Sequence, residues 1–335
     1  MRWFKCLRWY AAASVLRCSP LNRALYERGS MKKIYKYMPF REEFFSNYCL
    51  RASQRGVLND PFELSPAQDL VDKVLREGLG EDFFEQAEQF ATDGNFNEVG
   101  VISFTENYNN LLMWSHYAHE HKGIVVEFDY EKLDYFFNYK LSMRDTIERV
   151  LYNRERFSPL QTEVCVKDLL LTKSDDWIYE KEHRILPKLR LADYVRVERE
   201  LFEQLHEFYD NLYVDLFNIV AEDELSVTFE VDLVEYEQFN NQDWDGNSTD
   251  DREEMKYSHS DVILNEIYGS LAVLPTSVFL FKLPPDCISA VFVGCRASDE
   301  DARLIQTLIG SKNIPIFKAQ LSKTHFTLGF EEMFV

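Results

Sequence analysis

Segments patterned as strands stand at both ends of this chain, and segments patterned as helices fill the stretch between them. A doubly wound sheet needs strands and helices in alternation. The observed order therefore predicts an α+β fold, with mixed or mostly antiparallel sheets and flanking helices. Ile34–Tyr37 and Val101–Thr105 read as strands. Gly123–Asp129 (GIVVEFD) is apolar at its centre, as an internal strand is. Shorter strand-like runs fall at 148–152 and 182–189. The C-terminal part alternates at 278–283, 288–293, 314–319 and 325–330, around a helix over 298–309. Helices are expected at 41–51, 66–77, 81–91, 109–121, 131–137 and 160–171. Asn59-Asp60-Pro61-Phe62 is a turn, because Asn and Asp bond their own backbone and Pro fixes φ. Gly123 is expected to close the 109–121 helix in the usual C-terminal position.

The 335 residues include 46% apolar and 15% aromatic side chains, enough to build a core and to exclude disorder as the main state. Neither a G-x-G-x-x-G run nor a Gly-Lys-Ser/Thr loop is present, so the two common glycine-rich phosphate cradles are absent. The net charge of −20 argues against a broad nucleic-acid footprint and against an anionic membrane surface as partner. No run of 18 apolar residues occurs. Six widely spaced cysteines form no C-x-x-C, which fits reduced thiols and a cytoplasmic setting rather than a disulfide framework.

The charge is uneven. Residues 1–30 carry +5, residues 191–257 carry −16 and the remainder −9. The basic leader, 1–30, reads as an extension outside the fold, since Met31 resembles a natural start; 31–335 reads as a single domain. The segment 191–257 reads as an acidic helical insert. Leu201, Leu205, Phe208, Leu212, Leu216 and Ile219 recur three or four apart, as on one face of a long helix. Val227 to Leu233 alternate as a strand, and 238–260 is a polar loop. The insert is expected to form a solvated accessory layer or a surface for a protein partner.

Two clusters carry candidate chemistry. Three histidines lie within Trp114-Ser-His116-Tyr117-Ala-His119-Glu-His121, but they do not converge as a catalytic zinc requires, so no metal site is assigned. Trp114, His116 and Tyr117 are instead candidates to line a pocket. In Lys173–Pro187, Glu180 and Glu182 flank Lys181. On a strand they would share a face, so one carboxylate would have its pKa raised while the other bonds a substrate hydroxyl. Arg184, on that face, is placed to hold an anion or a glutamate. The alternative for these residues is a solvated edge with surface ion pairs. Ser103 and Thr105 present two hydroxyls on one strand face, spaced for a phosphate or ribose.

The runs IYKYMPF (34–40), LNDPFE (58–63), VISFTEN (101–107), LLMWSHYAHEHKGIVVEFD (111–129), DDWIYEKEHRI (175–185) and VFVGCRAS (291–298) resemble the bacterial domain-of-unknown-function family 2971. The resemblance implies a bacterial cytosolic protein and no established reaction. More distantly, the order Lys36, Ser103-Phe104-Thr105, Glu180-Lys181-Glu182 is similar to that of ADP-ribosyltransferases of the arginine–serine–glutamate class, with lysine in place of arginine. That similarity implies NAD as substrate, lying in a cleft between two small sheets. Lys36 would hold the diphosphate, with Ser103 and Thr105 beneath the nicotinamide ribose. Tyr37 or Trp114 would stack on the nicotinamide, Glu182 would bond the ribose 2′-hydroxyl, and Glu180 would orient the acceptor. The competing expectation is a non-catalytic ligand- or peptide-binding module, lined by Trp114, His116, Tyr117 and the Asn59–Phe62 turn.

Overall fold

The computed structural model describes residues 31–63, 97–156, 170–210, 215–234 and 262–333. The helices expected at 66–77 and 81–91, nearly all of the one at 160–171, the leader 1–30 and the loop 238–260 lie outside the described residues.

Fifteen strands among the described residues form three sheets. The largest runs in the order β15 (Leu328–Glu332), β14 (Ile316–Leu321), β13 (Ile288–Val293), β4 (Ile124–Asp129), β1 (Lys33–Met38), β3 (Ile102–Thr105), β8 (Glu182–Ile185) and β5 (Glu148–Arg149). All its pairings are antiparallel except β13 with β14, which the helix α6 (Asp299–Ile309) separates in sequence. Ser298 caps that helix by accepting from the Asp301 amide, and three acids in its first turn face the positive end of the helix dipole. The apolar strand at 124–129 is internal, paired on both sides, as its continuous hydrophobicity predicts.

A second, antiparallel sheet runs β10 (Phe217–Glu222), β11 (Ser226–Val231), β9 (Tyr194–Glu198), β12 (Val278–Lys282), β2 (Cys49–Ala52). Two short parallel strands, β6 (Leu151–Asn153) and β7 (Thr172–Ser174), make the third. The fold is α+β, with the helices α1 (Glu42–Asn47), α2 (Leu111–Tyr117), α3 (Tyr130–Lys140), α4 (Arg199–Asp210) and α5 (262–272) around these sheets.

Three expectations change. First, the described part of the segment 191–257, residues 191–210 and 215–234, does not stand apart as a helical layer. β9 comes from this segment and lies between β11 and β12, with Val195 and Val197 fully buried, because its alternation is that of a half-buried strand. Second, the apolar periodicity from Leu201 to Ile219 is not one helix. α4 is described over Arg199–Asp210, and Phe217 and Ile219 belong to β10, paired with Val231 and Phe229. Third, the helix expected at 41–51 is short: Tyr48 takes a left-handed conformation, φ 55°, and the chain turns into β2. The sequence reading also misses α5, whose Ile263, Ile267 and Leu271 are buried.

Strand alternation divides the large sheet into two faces. Ile34, Ile102, Phe104, Val126, Phe128 and Ile185 join Leu50, Val195, Phe229 and Phe279 of the second sheet in one core. The space between the two sheets is thus filled by apolar side chains. On the opposite face, Tyr35, Tyr37, Val125 and Phe292 pack under Met113 and Trp114 of α2. The candidate site lies on that second face, not between the sheets.

Candidate functional site

The site is assembled where β3 and β8 pair. Ile102 and Phe104 point into the inter-sheet core, so Ser103 and Thr105 point the other way. The antiparallel register sets Ser103 opposite Arg184 and Thr105 opposite Glu182, so four polar side chains share one face. Above them the turn Asp175–Glu180 ends with Lys181 in a left-handed conformation, φ 44°. Glu180 is therefore the last residue of a 3-10 turn and not a strand neighbour of Glu182. The two carboxylates still converge, through Lys173 on β7: its Nζ lies 2.7 Å from Glu180 Oε2 and 3.4 Å from Glu182 Oε2.

Arg184 grips Glu182 in a two-point bond, Nε to Oε1 at 2.8 Å and Nη2 to Oε2 at 2.9 Å. Its Nη1 donates to the Leu170 carbonyl at 2.7 Å, and Nη2 also bonds Glu63. Lys173 Nζ lies 3.4 Å from Glu63 as well. Tyr117 at the end of α2 donates to Glu180 Oε1 at 2.5 Å and accepts from Asn59 at 3.2 Å. Thr105 Oγ1 donates to the Glu180 carbonyl at 2.6 Å, and the Glu182 amide donates to the Tyr152 hydroxyl at 2.8 Å.

Within this bonded network three carboxylates, Glu63, Glu180 and Glu182, face two cations, Lys173 and Arg184, all buried. Burial alone would push Glu182 up, but the Arg184 and Lys173 charges, with the Arg184 and Ser103 bonds, hold it at about 2. Burial also pushes up Glu180, which Lys173 and Tyr117 only partly offset, so its pKa ends above the usual value. For Lys173 and Arg184 the neighbouring carboxylates outweigh burial, and both stay charged. Tyr117 is raised by burial and by the Glu180 charge. The site thus offers one carboxylate locked in its ionised form and one tuned toward accepting a proton.

Of the ten residues singled out from the sequence, Ser103, Thr105, Tyr117, Glu180, Glu182 and Arg184 meet here. Four do not. Lys36 alternates with Tyr35 and Tyr37 onto the inter-sheet face, where Nζ donates to the Ser103 carbonyl at 2.8 Å and lies 5.5 Å from the Phe104 ring centre. Burial lowers its pKa to about 8 against the raising influence of Glu182. Tyr37 is buried; its hydroxyl donates to the Asn107 carbonyl at 2.9 Å and accepts from the Asn110 amide at 3.1 Å. Trp114 is wholly buried, edge-on to Tyr37 at 5.4 Å, with Nε1 donating to the Tyr108 carbonyl at 2.9 Å. Neither ring is free to stack on a ligand, because each lies in the core of the second face. His116 is exposed at the surface of α2 and only its ring edge nears Tyr117, at 6.2 Å. Among the described residues no group of three His, Cys, Asp or Glu is arranged to hold a metal.

Asp60 and Phe62 of the Asn59–Phe62 turn, which the sequence analysis offers as a pocket lining, help to open this cluster to the surface, and sequence reasoning missed the other residues that do so. A cleft of about 220 Å³ has Glu63 and Lys173 in its wall, with Phe62, Arg154, Arg156 and Thr172 around them. Phe62 is 61% exposed, and the Arg156 guanidinium sits 5.3 Å from its ring centre. The LNDPFE run supplies both Phe62 and Glu63: Asp60 accepts from the Phe62 amide, and this turn carries the Glu63 carboxylate inward to Arg184. The run was legible as a turn; its ion pair with Arg184 was not, since no local pattern encodes it.

Among the described residues no helix is long and apolar enough to cross a membrane. No curated protein and no solved structure matches the chain. Residues 113–185, which supply Tyr117, Lys173, Glu180, Glu182 and Arg184 to this cluster, match the family model "Protein of unknown function (DUF2971)", the family that the sequence motifs resemble.

Proposed function

We propose that this cluster is the reaction centre of an NAD-using, ADP-ribosyltransferase-like enzyme. The observation that carries the reading is the meeting of Ser103, Thr105, Glu180 and Glu182 behind the wall of a cleft that also carries Arg154, Arg156 and an exposed phenyl ring. In this reading the dinucleotide diphosphate takes the arginines, and a flat ring stacks on Phe62. Lys36 has no part in holding it. The bond between nicotinamide nitrogen and ribose C1′ breaks, its electron pair leaving on neutral nicotinamide. The positive charge that develops at C1′ is stabilised by ionised Glu182, held in place by Arg184 and Lys173. The acceptor nucleophile bonds C1′ and gives its proton to Glu180, whose raised pKa suits a general base.

The test is nicotinamide release from labelled NAD by the intact protein and by Glu182→Gln. The variant is expected to lose about 100-fold or more of the rate, the scale of a lost electrostatic stabiliser. Undiminished turnover in the variant would falsify the assignment. One observation favours a second reading, a binding module without chemistry: both Glu182 oxygens are already engaged, by Arg184 and Lys173. Saturable NAD binding with no nicotinamide release would select that reading.

A further inference from the structure

The outer face of the five-stranded sheet carries an arginine whose bonding is incomplete. Leu50 and Ala52 point into the core, so Arg51 between them points outward. On the same face lie Tyr194, Arg196, Val278 and Leu280, since Val195, Val197, Phe279 and Phe281 fill the core side. The register pairs Arg51 with Leu280, Leu280 with Tyr194, and Val278 with Arg196, so Arg51 and Arg196 flank β12 on a diagonal. Arg41, just before α1, is near enough for its charge to act on Arg51.

Two nitrogens of Arg51, Nε and Nη2, are enclosed and have no hydrogen-bond partner. They form one edge of the guanidinium, the edge whose two parallel N–H groups match a carboxylate or phosphate. Arg184 uses the same edge to hold Glu182 in this protein. Burial lowers the pKa of Arg51, and the charges of Arg41 and Arg196 lower it further. Three cations therefore crowd one another, and among the described residues no carboxylate is bonded to the Nε/Nη2 edge of Arg51. A buried charged donor edge with no acceptor is costly and rare in a folded protein, and in a chain of net charge −20 such an uncompensated cationic group needs an explanation.

We propose that Arg51, with Arg41 and Arg196, forms a binding site for a phosphate dianion, the terminal phosphate of a small ligand, distinct from the cleft beside Glu63 and Lys173. A change of Arg51 rotamer turns its Nε/Nη2 edge to the anion, and Arg41 and Arg196 supply the second charge. The site stands on the five-stranded sheet and does not depend on the transferase reading.

The test uses the full chain with inorganic phosphate as probe, chloride as the control anion, and calorimetry and thermal unfolding as readouts. Saturable phosphate binding that raises the melting temperature is expected. Arg51→Lys keeps the charge but loses the two-point edge, and is expected to weaken binding tenfold or more while folding normally. Arg51→Met is expected to abolish it and, in phosphate-free buffer, to be at least as stable as the parent. Arg154→Ala, in the other cleft, is expected to leave it unchanged. No saturable binding, equal binding by Arg51→Lys, or loss on Arg154→Ala instead would each overturn the proposal.

Discussion

Lys36 illustrates how much one residue's role depends on which face of a strand it takes. Its flanking tyrosines point to the face of α2, and it points to the other, with a pKa of about 8 because burial disfavours the ammonium. An unfolded lysine titrates near 10.5, so between about pH 8 and 10.5 the unfolded chain binds the proton that the folded chain has lost. Stability contributed by this residue therefore rises with pH across that window. Wild type should gain on Lys36→Met by at most about 1.4 kcal/mol per pH unit there. Urea unfolding of both proteins at pH 7.5, 9 and 10.5 checks this; a constant difference would show that the ammonium is not destabilised by burial.

At the scale of elements, the segment after α2 is the least expected. Gly123 does not supply the left-handed turn that closes the helix. Three consecutive residues do, His119, Glu120 and His121, at φ 47°, 55° and 67°. Left-handed backbone costs an L-residue roughly 1–2 kcal/mol. The turn is held by backbone hydrogen bonds in which the His121, Gly123 and Arg296 amides donate to the Trp114, Ala118 and His121 carbonyls, each within 3.0 Å. The glycines serve a different purpose: a Cβ on Gly123 would overlap the Met38 carbonyl, and one on Gly294 the His121 carbonyl. They let β4 and β13 close on the turn. Glu120 is exposed, and its pair with Lys122 at 3.5 Å lies in solvent, where such pairs are worth little. Glu120→Gly should therefore raise stability by about 0.5–1 kcal/mol, the relief of left-handed strain less the added chain entropy. A fall in melting temperature would show that the side chain does more than the geometry requires.

At the scale of the whole molecule, the described strands of the acidic segment, β9, β10 and β11, are part of the body. β9 joins β11 to β12, and its two core valines touch the same apolar cluster as Ile34 and Phe128 of the large sheet. Cutting residues 191–257 would leave β12 and β2 with an open edge and expose Phe279 and Phe281, both wholly buried in the intact chain. The shortened protein is expected to lose cooperative thermal unfolding, which circular dichroism and calorimetry would show. A sharp transition like that of the full chain would restore the view of the segment as an appendage.

The sequence by itself determined the α+β class, the internal strand at 124–129, the turn at 59–62, the C-terminal strands, the shared face of Ser103 and Thr105 on one strand and that of Glu182 and Arg184 on another, because period-two alternation and turn chemistry are local properties. The tertiary structure alone decided that Glu63 and Lys173 complete the cluster, that Lys36 and Trp114 stay out of it, and that β9, β10 and β11 of the acidic segment are built into a sheet. Those outcomes depend on which strands pair and on which charges bury together. Pairing and burial are set by contacts between distant residues, and no spacing along the chain encodes them.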